Sequence, residues 1–101
     1  MAERLTPEEI KNRLAEMPEW AETGGEIHRT FAFADFVEAM GFVNRIAIDA
    51  ERANHHPDIL IRYNKVTLRL STHDAGGITE KDFALAAIAE SRAPQEVRHS
   101  A

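Results

Sequence analysis

The stretch that decides the fold is residues 57–73, PDILIRYNKVTLRLSTH. Apolar and polar side chains alternate along residues 58–63 and again along residues 66–72, which is typical of two half-buried strands. Asn64 and Lys65 lie between them, and Asn tolerates the positive φ that a two-residue hairpin turn requires. The sequence therefore predicts an antiparallel hairpin with its turn at these two residues.

Patterns on both sides of this hairpin complete the predicted fold. Residues 35–53 repeat apolar side chains at steps of three and four, which is the period of a helix. Residues 26–33 alternate like a half-buried strand, and with the Gly24-Gly25 turn they predict a second hairpin over residues 19–33. Capping signals predict two more helices, one starting after Thr6 and one after Thr79. The order α-β-β-α-β-β-α predicts an α+β fold, with a four-stranded antiparallel sheet and helices packed on one face.

Length and composition indicate one small soluble domain. The chain has 101 residues, a formal net charge of −5, 44% hydrophobic residues and no cysteine. A chain this short forms one thin core, so residues 1–101 are predicted to be a single domain, with about 92–101 as a frayed tail. The lack of cysteine excludes disulfides, thiolate metal sites and thiol nucleophiles. The acidic balance argues against nonspecific binding to nucleic acid.

The sequence also predicts where the protein resides and how it assembles. No segment is apolar enough for a membrane span, and residues 1–20 lack the basic start and apolar run of a signal peptide. We therefore expect a cytoplasmic protein. A sheet of four strands leaves two open edges that can pair with another chain, which favours a homodimer formed through edge strands or the uncovered sheet face.

Candidate catalytic side chains gather in two short segments at one end of the predicted hairpin. The first segment, residues 51–58, contains His55 and His56, and the second, residues 71–74, contains His73. With the predicted turn, His56 faces His73 and the two segments meet. Imidazole exchanges protons near neutral pH, so three converging histidines with carboxylates nearby are typical of general acid–base catalysis.

These residue types also have alternative interpretations. A single histidine is more commonly a surface or capping residue, and Asp82 in a first helical turn compensates the helix dipole. His28, on a strand, and His99, in the tail, are interpreted as structural or solvated. A zinc site is the competing chemistry. It is less favoured, because adjacent histidines on extended chain point in opposite directions and no i, i+4 pair of histidines lies on a helix.

Several separated motifs match one known family in order and spacing, from about Leu5 to about Ala89. They are Glu51-x-x-x-His55-His56-Pro57, Tyr63-Asn64-Lys65-Val66, Ser71-Thr72-His73, Gly77-Ile78-Thr79-Glu80-Lys81-Asp82, and Phe33-x-Asp35-Phe36 with Gly41-Phe42 and Arg45. Together they resemble pterin-4a-carbinolamine dehydratase. The resemblance implies a hydro-lyase that removes water from 4a-hydroxytetrahydropterin to give quinonoid dihydropterin, without a metal or organic cofactor. It also implies the same four-stranded fold, assembled as a homodimer or homotetramer, and a place in tetrahydropterin recycling, for example beside an aromatic amino acid hydroxylase.

The resemblance assigns roles to individual residues. The expected catalytic residues are His55, His56 and His73, with His55 and His73 as the acid–base pair and His56 orienting the pterin. Glu51 and Asp82 are expected to orient the imidazoles from behind. The expected pterin-binding residues are Asn54, His55, His56, Pro57, Ser71, Thr72, His73 and Asp74.

Two other function classes stay open at this point. Animal members of the resembled family also serve as dimerisation partners of a homeodomain transcription factor, so a non-enzymatic dimeric binding module is the main alternative. A small metal-dependent enzyme or sensor that uses the histidines is the other.

Overall fold

The computed structural model describes residues 3–94 as three α-helices and one four-stranded antiparallel sheet. The elements in chain order are α1 (Pro7–Ala15), β1 (Ala21–Thr23), β2 (Glu26–Ala32), α2 (Phe36–Ala53), β3 (Asp58–Arg62), β4 (Lys65–Leu70) and α3 (Glu80–Arg92), with a 3₁₀ turn at His73–Ala75 before α3. The predicted α+β class and the order α-β-β-α-β-β-α are confirmed. Most of the predicted tail, including His99, lies outside the described residues.

The helix starts follow the capping signals of the sequence. At α1 the Thr6 hydroxyl accepts from the Glu9 N–H at 3.1 Å, and Glu9 Oε1 accepts from the Thr6 N–H at 2.9 Å. This reciprocal pair is a capping box, which satisfies two N–H groups that the first helical turn leaves without partners. At α2 the Asp35 carboxylate accepts from the Glu38 N–H at 2.8 Å. Local sequence therefore determines where these helices begin.

The sheet has the strand order β1-β2-β4-β3, so β2 and β4 are central and β1 and β3 form the edges. The buried apolar side chains of the central strands are Ile27, Phe31, Val66, Leu68 and Leu70. They pack against buried residues of α2 and α3, namely Phe42, Ile46, Phe83 and Leu85. Burying one such side chain contributes about 1.5–3 kcal/mol. Thr30, Leu60 and Arg69 on the other face are exposed, so the described helices cover one face of the sheet.

The hairpin of β3 and β4 turns one residue earlier than the sequence predicted. Arg62 pairs with Lys65, so the turn residues are Tyr63 and Asn64, and Tyr63 adopts the positive φ of 54°. The Asn64 side-chain amide donates to the Phe33 carbonyl at 2.7 Å, and the Phe33 N–H donates to the Asn64 carbonyl at 2.8 Å. The predicted turn at Asn64 and Lys65 is wrong, because Lys65 pairs with Ala32 of β2 as well as with Arg62 and is therefore the first residue of β4.

The earlier turn shifts the pairing of the two strands by two residues. Asp58 lies opposite Arg69, whereas the predicted register placed it opposite Ser71. A shift by two keeps every side chain on its predicted face, because side chains alternate with a period of two. It removes the predicted pairing of His56 with His73, which was therefore wrong. Both residues still lie at the end of the sheet where β3 begins and β4 ends.

The C-terminal end of α3 is fixed to α2. Arg92, where the tail was predicted to begin, is the last residue of α3 and donates two hydrogen bonds to the Asp49 carboxylate, at 2.8 and 2.9 Å. The hydrogen-bonded guanidinium lowers the pKa of the buried Asp49 carboxyl. Ala93 is buried after the helix ends. Among residues 3–94, no helix has the length and apolar character needed to span a membrane.

Candidate active site

The C-terminal end of α2 directs the first two histidines to different sides. Asn54 ends the helix in the left-handed conformation, with φ 50° and ψ 44°, a region that Asn visits more readily than most residues. The His55 N–H still donates to the Ala50 carbonyl at 3.1 Å. The His55 side chain is only 10% exposed, whereas that of His56 is 55% exposed. The helix end therefore turns one imidazole inward and leaves the next in solvent.

A buried carboxylate at the start of α3 binds the inward-facing histidine. His55 Nε2 lies 2.5 Å from Asp82 Oδ1, and the Asp82 side chain is fully buried. A buried carboxylate is costly unless hydrogen-bond donors satisfy its oxygens. Asp82 Oδ2 accepts from the Thr79 N–H at 2.8 Å and from the Thr72 hydroxyl at 2.9 Å. Asp82 thus connects the end of α2, the loop after β4 and the start of α3.

The other two predicted catalytic histidines are exposed, and each lies near a carboxylate. His56 Nε2 is 2.6 Å from Glu51 Oε1. His73, the first residue of the 3₁₀ turn, is fully exposed, and its Nδ1 lies 3.7 Å from Asp74 Oδ1. Exposed pairs contribute roughly 0–1 kcal/mol, because solvent screens them and both side chains lose rotamer freedom. The protein therefore holds these two imidazoles far less firmly than His55, and the His73–Asp74 contact is too long for a hydrogen bond.

The structure brings His55, Thr72 and Asp82 into one hydrogen-bonded network and leaves His56 and His73 outside it. In the described part of the chain, no hydrogen bond joins one of the three imidazoles to another. No group of three or more His, Asp or Glu side chains in residues 3–94 is placed to hold a metal ion. The remaining predicted pterin-binding residues are exposed or half-buried around the network: Asn54, Pro57, Ser71 and Asp74.

The loop that carries His73 is closed by backbone contacts and by the N-terminal segment. Thr72 and Gly77 form an isolated antiparallel bridge, with the Thr72 N–H donating to the Gly77 carbonyl at 2.9 Å. The Leu5 N–H donates to the Ile78 carbonyl at 2.8 Å. A Cβ added to Gly77 would lie 2.6 Å from the Arg4 Cδ atom, so the exposed Arg4 side chain would have to move to accommodate it. These contacts place Thr72 against Asp82.

Two concave regions of the described surface lie away from the histidines. One, of about 710 Å³, lies on the uncovered sheet face beside Leu60, Tyr63 and Lys65. The other, of about 440 Å³, lies between α1 and α3 beside Trp20 and Phe83. Neither includes a predicted site residue. Because Asn54, His56, His73 and Asp74 are exposed, the histidine site of a single chain is an open polar surface at the edge of the core.

Thr79 is a site residue that sequence reasoning missed. Its hydroxyl accepts from the Lys81 N–H at 3.2 Å, as expected of a helix cap, but it also lies 2.7 Å from the Thr72 hydroxyl and is fully buried. The capping box with Asp82 was readable as a local pattern. The contact with Thr72 was not, because it depends on how the loop after β4 packs on α3.

Comparison with known proteins identifies relatives over most of the chain. Residues 3–92 match the family model described as pterin 4 alpha carbinolamine dehydratase. A relative from Acidobacterium capsulatum is 58% identical over 87 residues, which are 86% of this chain and 95% of the relative. A relative from Picosynechococcus is 56% identical over 86 residues, which are 85% of this chain and 94% of the relative. Both are provisionally named as pterin-4-alpha-carbinolamine dehydratases.

Two solved structures are similar to the fold described above. A protein from Brucella melitensis, described as a transcriptional coactivator/pterin dehydratase, has a TM-score of 0.87 and 35% identity, covering 90% of this chain and 99% of its own. A pterin dehydratase-like protein, described as a RuBisCO assembly factor in the alpha-carboxysome, has a TM-score of 0.63 and 25% identity. That similarity covers 73% of this chain and 88% of the assembly factor.

Proposed function

The chain belongs to the pterin 4 alpha carbinolamine dehydratase family, and we propose that it is a hydro-lyase that converts a 4a-hydroxytetrahydropterin into the quinonoid dihydropterin and water. One observation carries the proposal beyond family membership. The His55 imidazole is held by the buried Asp82 carboxylate at the rim of an exposed surface that also presents His56 and His73. A flat heterocycle can reach such a rim, and an oriented imidazole can exchange a proton with it.

The reaction requires one proton to be delivered and another to be removed. A general acid protonates the hydroxyl group on C4a, the carbon–oxygen bond breaks and water leaves. A general base removes the proton from N5, and the electron pair forms the C4a–N5 double bond. Two imidazoles on opposite sides of the reacting atoms can perform both transfers near neutral pH, without redox chemistry. We assign them to His55 and His73.

The remaining predicted residues would bind or orient the pterin and the imidazoles. His56, held by Glu51 at 2.6 Å, would donate to or accept from the edge of the heterocycle. Asn54, Ser71 and Asp74 would present polar groups around it. The product would enter tetrahydropterin recycling.

Stopped-flow dehydration of a 4a-hydroxytetrahydropterin tests the proposal. Replacing His55 or His73 by Ala should lower the rate about 10²-fold or more, because each replacement removes a positioned acid or base. The control is His28→Ala, whose Nε2 contacts the Thr23 hydroxyl at 3.1 Å in the first hairpin. Dehydration at an unchanged rate in both active-site variants would refute the assignment, as would an equal loss in the control.

We also propose that the protein forms a homodimer through the exposed edge strand β3. Leu60 is 52% exposed at its centre. In an antiparallel pairing of two copies about Leu60, Asp58 lies opposite the partner subunit's Arg62, and the reverse pair forms on the other side. The edge is therefore complementary in charge to itself, and pairing would satisfy backbone groups that a free edge leaves open.

Sedimentation velocity tests this interface with a charge reversal and its compensation. Asp58→Arg places arginines opposite each other at both ends of the pairing, so it should shift the species towards monomer. The double variant Asp58→Arg, Arg62→Asp restores opposite charges and should restore the dimer. A parent protein that sediments as a monomer, or a single variant as dimeric as the parent, contradicts the proposed interface.

A binding role is the second candidate function, favoured by the descriptions of the two similar proteins as a transcriptional coactivator and a RuBisCO assembly factor. The dehydration assay separates the alternatives. A folded chain that shows no dehydration but retains a stoichiometric protein partner would support the binding role over the enzyme.

A further inference from the structure

The buried contacts of Asp82 impose a direction on a chain of hydrogen bonds. A carboxylate can only accept, so the Thr72 hydroxyl must donate its single hydrogen to Asp82 Oδ2, at 2.9 Å. The hydrogen between Thr72 and Thr79, whose hydroxyl oxygens lie 2.7 Å apart, must then come from Thr79. The Thr79 oxygen in turn accepts from the Lys81 N–H at 3.2 Å. In this series of hydrogen bonds, every donor points towards Asp82.

This direction determines what the other oxygen of Asp82 can bind. Oδ2 already accepts from the Thr72 hydroxyl and from the Thr79 N–H. All contacts are satisfied together when Oδ1, like Oδ2, is an acceptor and takes a hydrogen from His55 Nε2. Aligned hydroxyls also polarise one another, which strengthens the last bond of the chain.

The consequence for His55 concerns its tautomer. If Nε2 carries the hydrogen, the neutral ring has its lone pair on Nδ1, and proton transfer with a ligand must use that atom. A ring of the opposite tautomer would present a lone pair to a carboxylate, which cannot donate. The position of the reacting nitrogen therefore depends on groups that do not themselves reach the surface.

We propose that the hydroxyl pair Thr72–Thr79 positions His55 for catalysis, by holding Asp82 as the acceptor for Nε2–H and so leaving Nδ1 as the proton-transfer atom. The inference rests on the proposed function. It gives Thr72 a role different from the pterin contact expected of it, because its hydroxyl is buried against Asp82 and its N–H donates to Gly77. It also assigns a role to Thr79, for which the sequence indicated only a helix cap.

The test combines kinetics with the tautomer of His55. Thr72→Val removes the hydroxyl that links Thr79 to Asp82, at nearly constant side-chain volume, and leaves the capping box of α3 in place. Its kcat should fall about 10-fold to 100-fold, the usual cost of losing a group that orients an active-site ligand, with KM changed less than about 2-fold. Long-range ¹H–¹⁵N correlation spectra should show one Nε2–H tautomer of His55 in the parent and a mixture in the variant.

Two further variants separate the hydroxyl effect from packing. Thr72→Ser retains the donor and should restore both kcat and the single tautomer. Thr67→Val is the matched control, because Thr67 and Thr30 form the same 2.7 Å hydroxyl contact on the uncovered sheet face. Its kcat, KM and His55 spectrum should equal those of the parent.

The outcomes decide between positioning and other roles. A folded Thr72→Val protein with unchanged kcat and a single His55 tautomer overturns the proposal, as does a loss confined to KM, which would indicate direct pterin contact. If Thr72→Val does not fold, Thr79→Val is judged by the same two readouts. If the parent shows no dehydration, the proposed function fails, while the His55 spectra still decide whether the hydroxyl pair sets the tautomer.

Discussion

The chain uses the same capping box twice, at α1 and at α3, with different results. At α1 the Thr6 and Glu9 side chains are exposed, and their two hydrogen bonds only satisfy the first helical turn. At α3 Thr79 and Asp82 are fully buried. There the same reciprocal bonds are present, and Asp82 also binds His55 and the Thr72 hydroxyl.

The difference shows how a helix start can acquire a chemical role. In a capping box the residue at the third helical position uses one carboxylate oxygen for the cap. The second oxygen of Glu9 faces solvent, whereas burial of Asp82 against the end of α2 directs its second oxygen at His55 Nε2. The local motif fixes the position of a carboxylate, and the tertiary fold determines whether another side chain binds its second oxygen.

The largest expected difference between the two boxes is in catalysis. In Asp82→Asn the amide oxygen must take over both bonds of Oδ2, so the NH₂ group faces His55 Nε2 and forces the hydrogen onto Nδ1. We expect kcat to fall about 100-fold, at the upper end of the usual cost of losing an orienting partner. Glu9→Gln makes the same chemical change in the exposed box and should leave kcat within about 2-fold in the same stopped-flow assay.

A smaller difference is expected in stability. Thr6→Ala removes an exposed cap and should cost about 1 kcal/mol of the free energy of unfolding. Thr79→Ala removes a cap and also leaves the buried Thr72 hydroxyl without its donor, which adds roughly 1 kcal/mol or more. Urea unfolding should therefore give a loss of about 2 kcal/mol for Thr79→Ala. Equal losses in the two variants would mean that burial adds nothing to the second box.

The contrast between local motifs and tertiary contacts also explains which features of the fold the sequence could predict. The helix α2 was predicted within one residue of its observed start at Phe36 and at its observed end, because its apolar period is long and uninterrupted. Both capping boxes were readable because their four residues are contiguous. The turn between β3 and β4 was misplaced, because the pairing of Lys65 with Ala32 of β2, which is distant in sequence, makes Lys65 part of β4.

In the candidate site, too, the sequence predicted local features and missed contacts between distant segments. The histidine segments were located from local residue types, and the family resemblance related Asp82 to the imidazoles. His55 and Asp82 are far apart in the sequence, so no local sequence pattern predicts the hydrogen bond between them. The hydroxyl contact between Thr72 and Thr79 lies closer in sequence, yet it depends on the bridge between Thr72 and Gly77. Sequence thus indicated the groups, and packing determined their hydrogen-bond directions.

Asp49 provides a third case, a buried carboxylate whose partner is an arginine. The hydrogen-bonded guanidinium of Arg92 lowers the pKa of Asp49 from its ordinary value of 3.8. A carboxyl group with a depressed pKa in the folded state stabilises the protein above its unfolded pKa and loses that contribution as the pH falls through the folded value. The Asp49–Arg92 pair should therefore stabilise the protein at neutral pH and cease to do so in acid, without affecting catalysis.

Arg92→Gln tests whether a buried, paired carboxylate supports activity or only stability. The variant should melt a few degrees below the parent at pH 7. This difference should shrink as the pH falls below about 4 towards the lowered pKa of Asp49, because the carboxyl is then protonated first in the unfolded chain and finally in the folded parent. Arg45→Gln is the matched control, since its guanidinium contacts the Arg92 carbonyl at 3.5 Å and no carboxylate of residues 3–94. If the difference in melting temperature stays constant across this pH range, the lost stability comes from packing and not from the charge pair. If Arg92→Gln also lowers kcat, then the histidine partner of Asp82 does not distinguish its role in catalysis from that of Asp49.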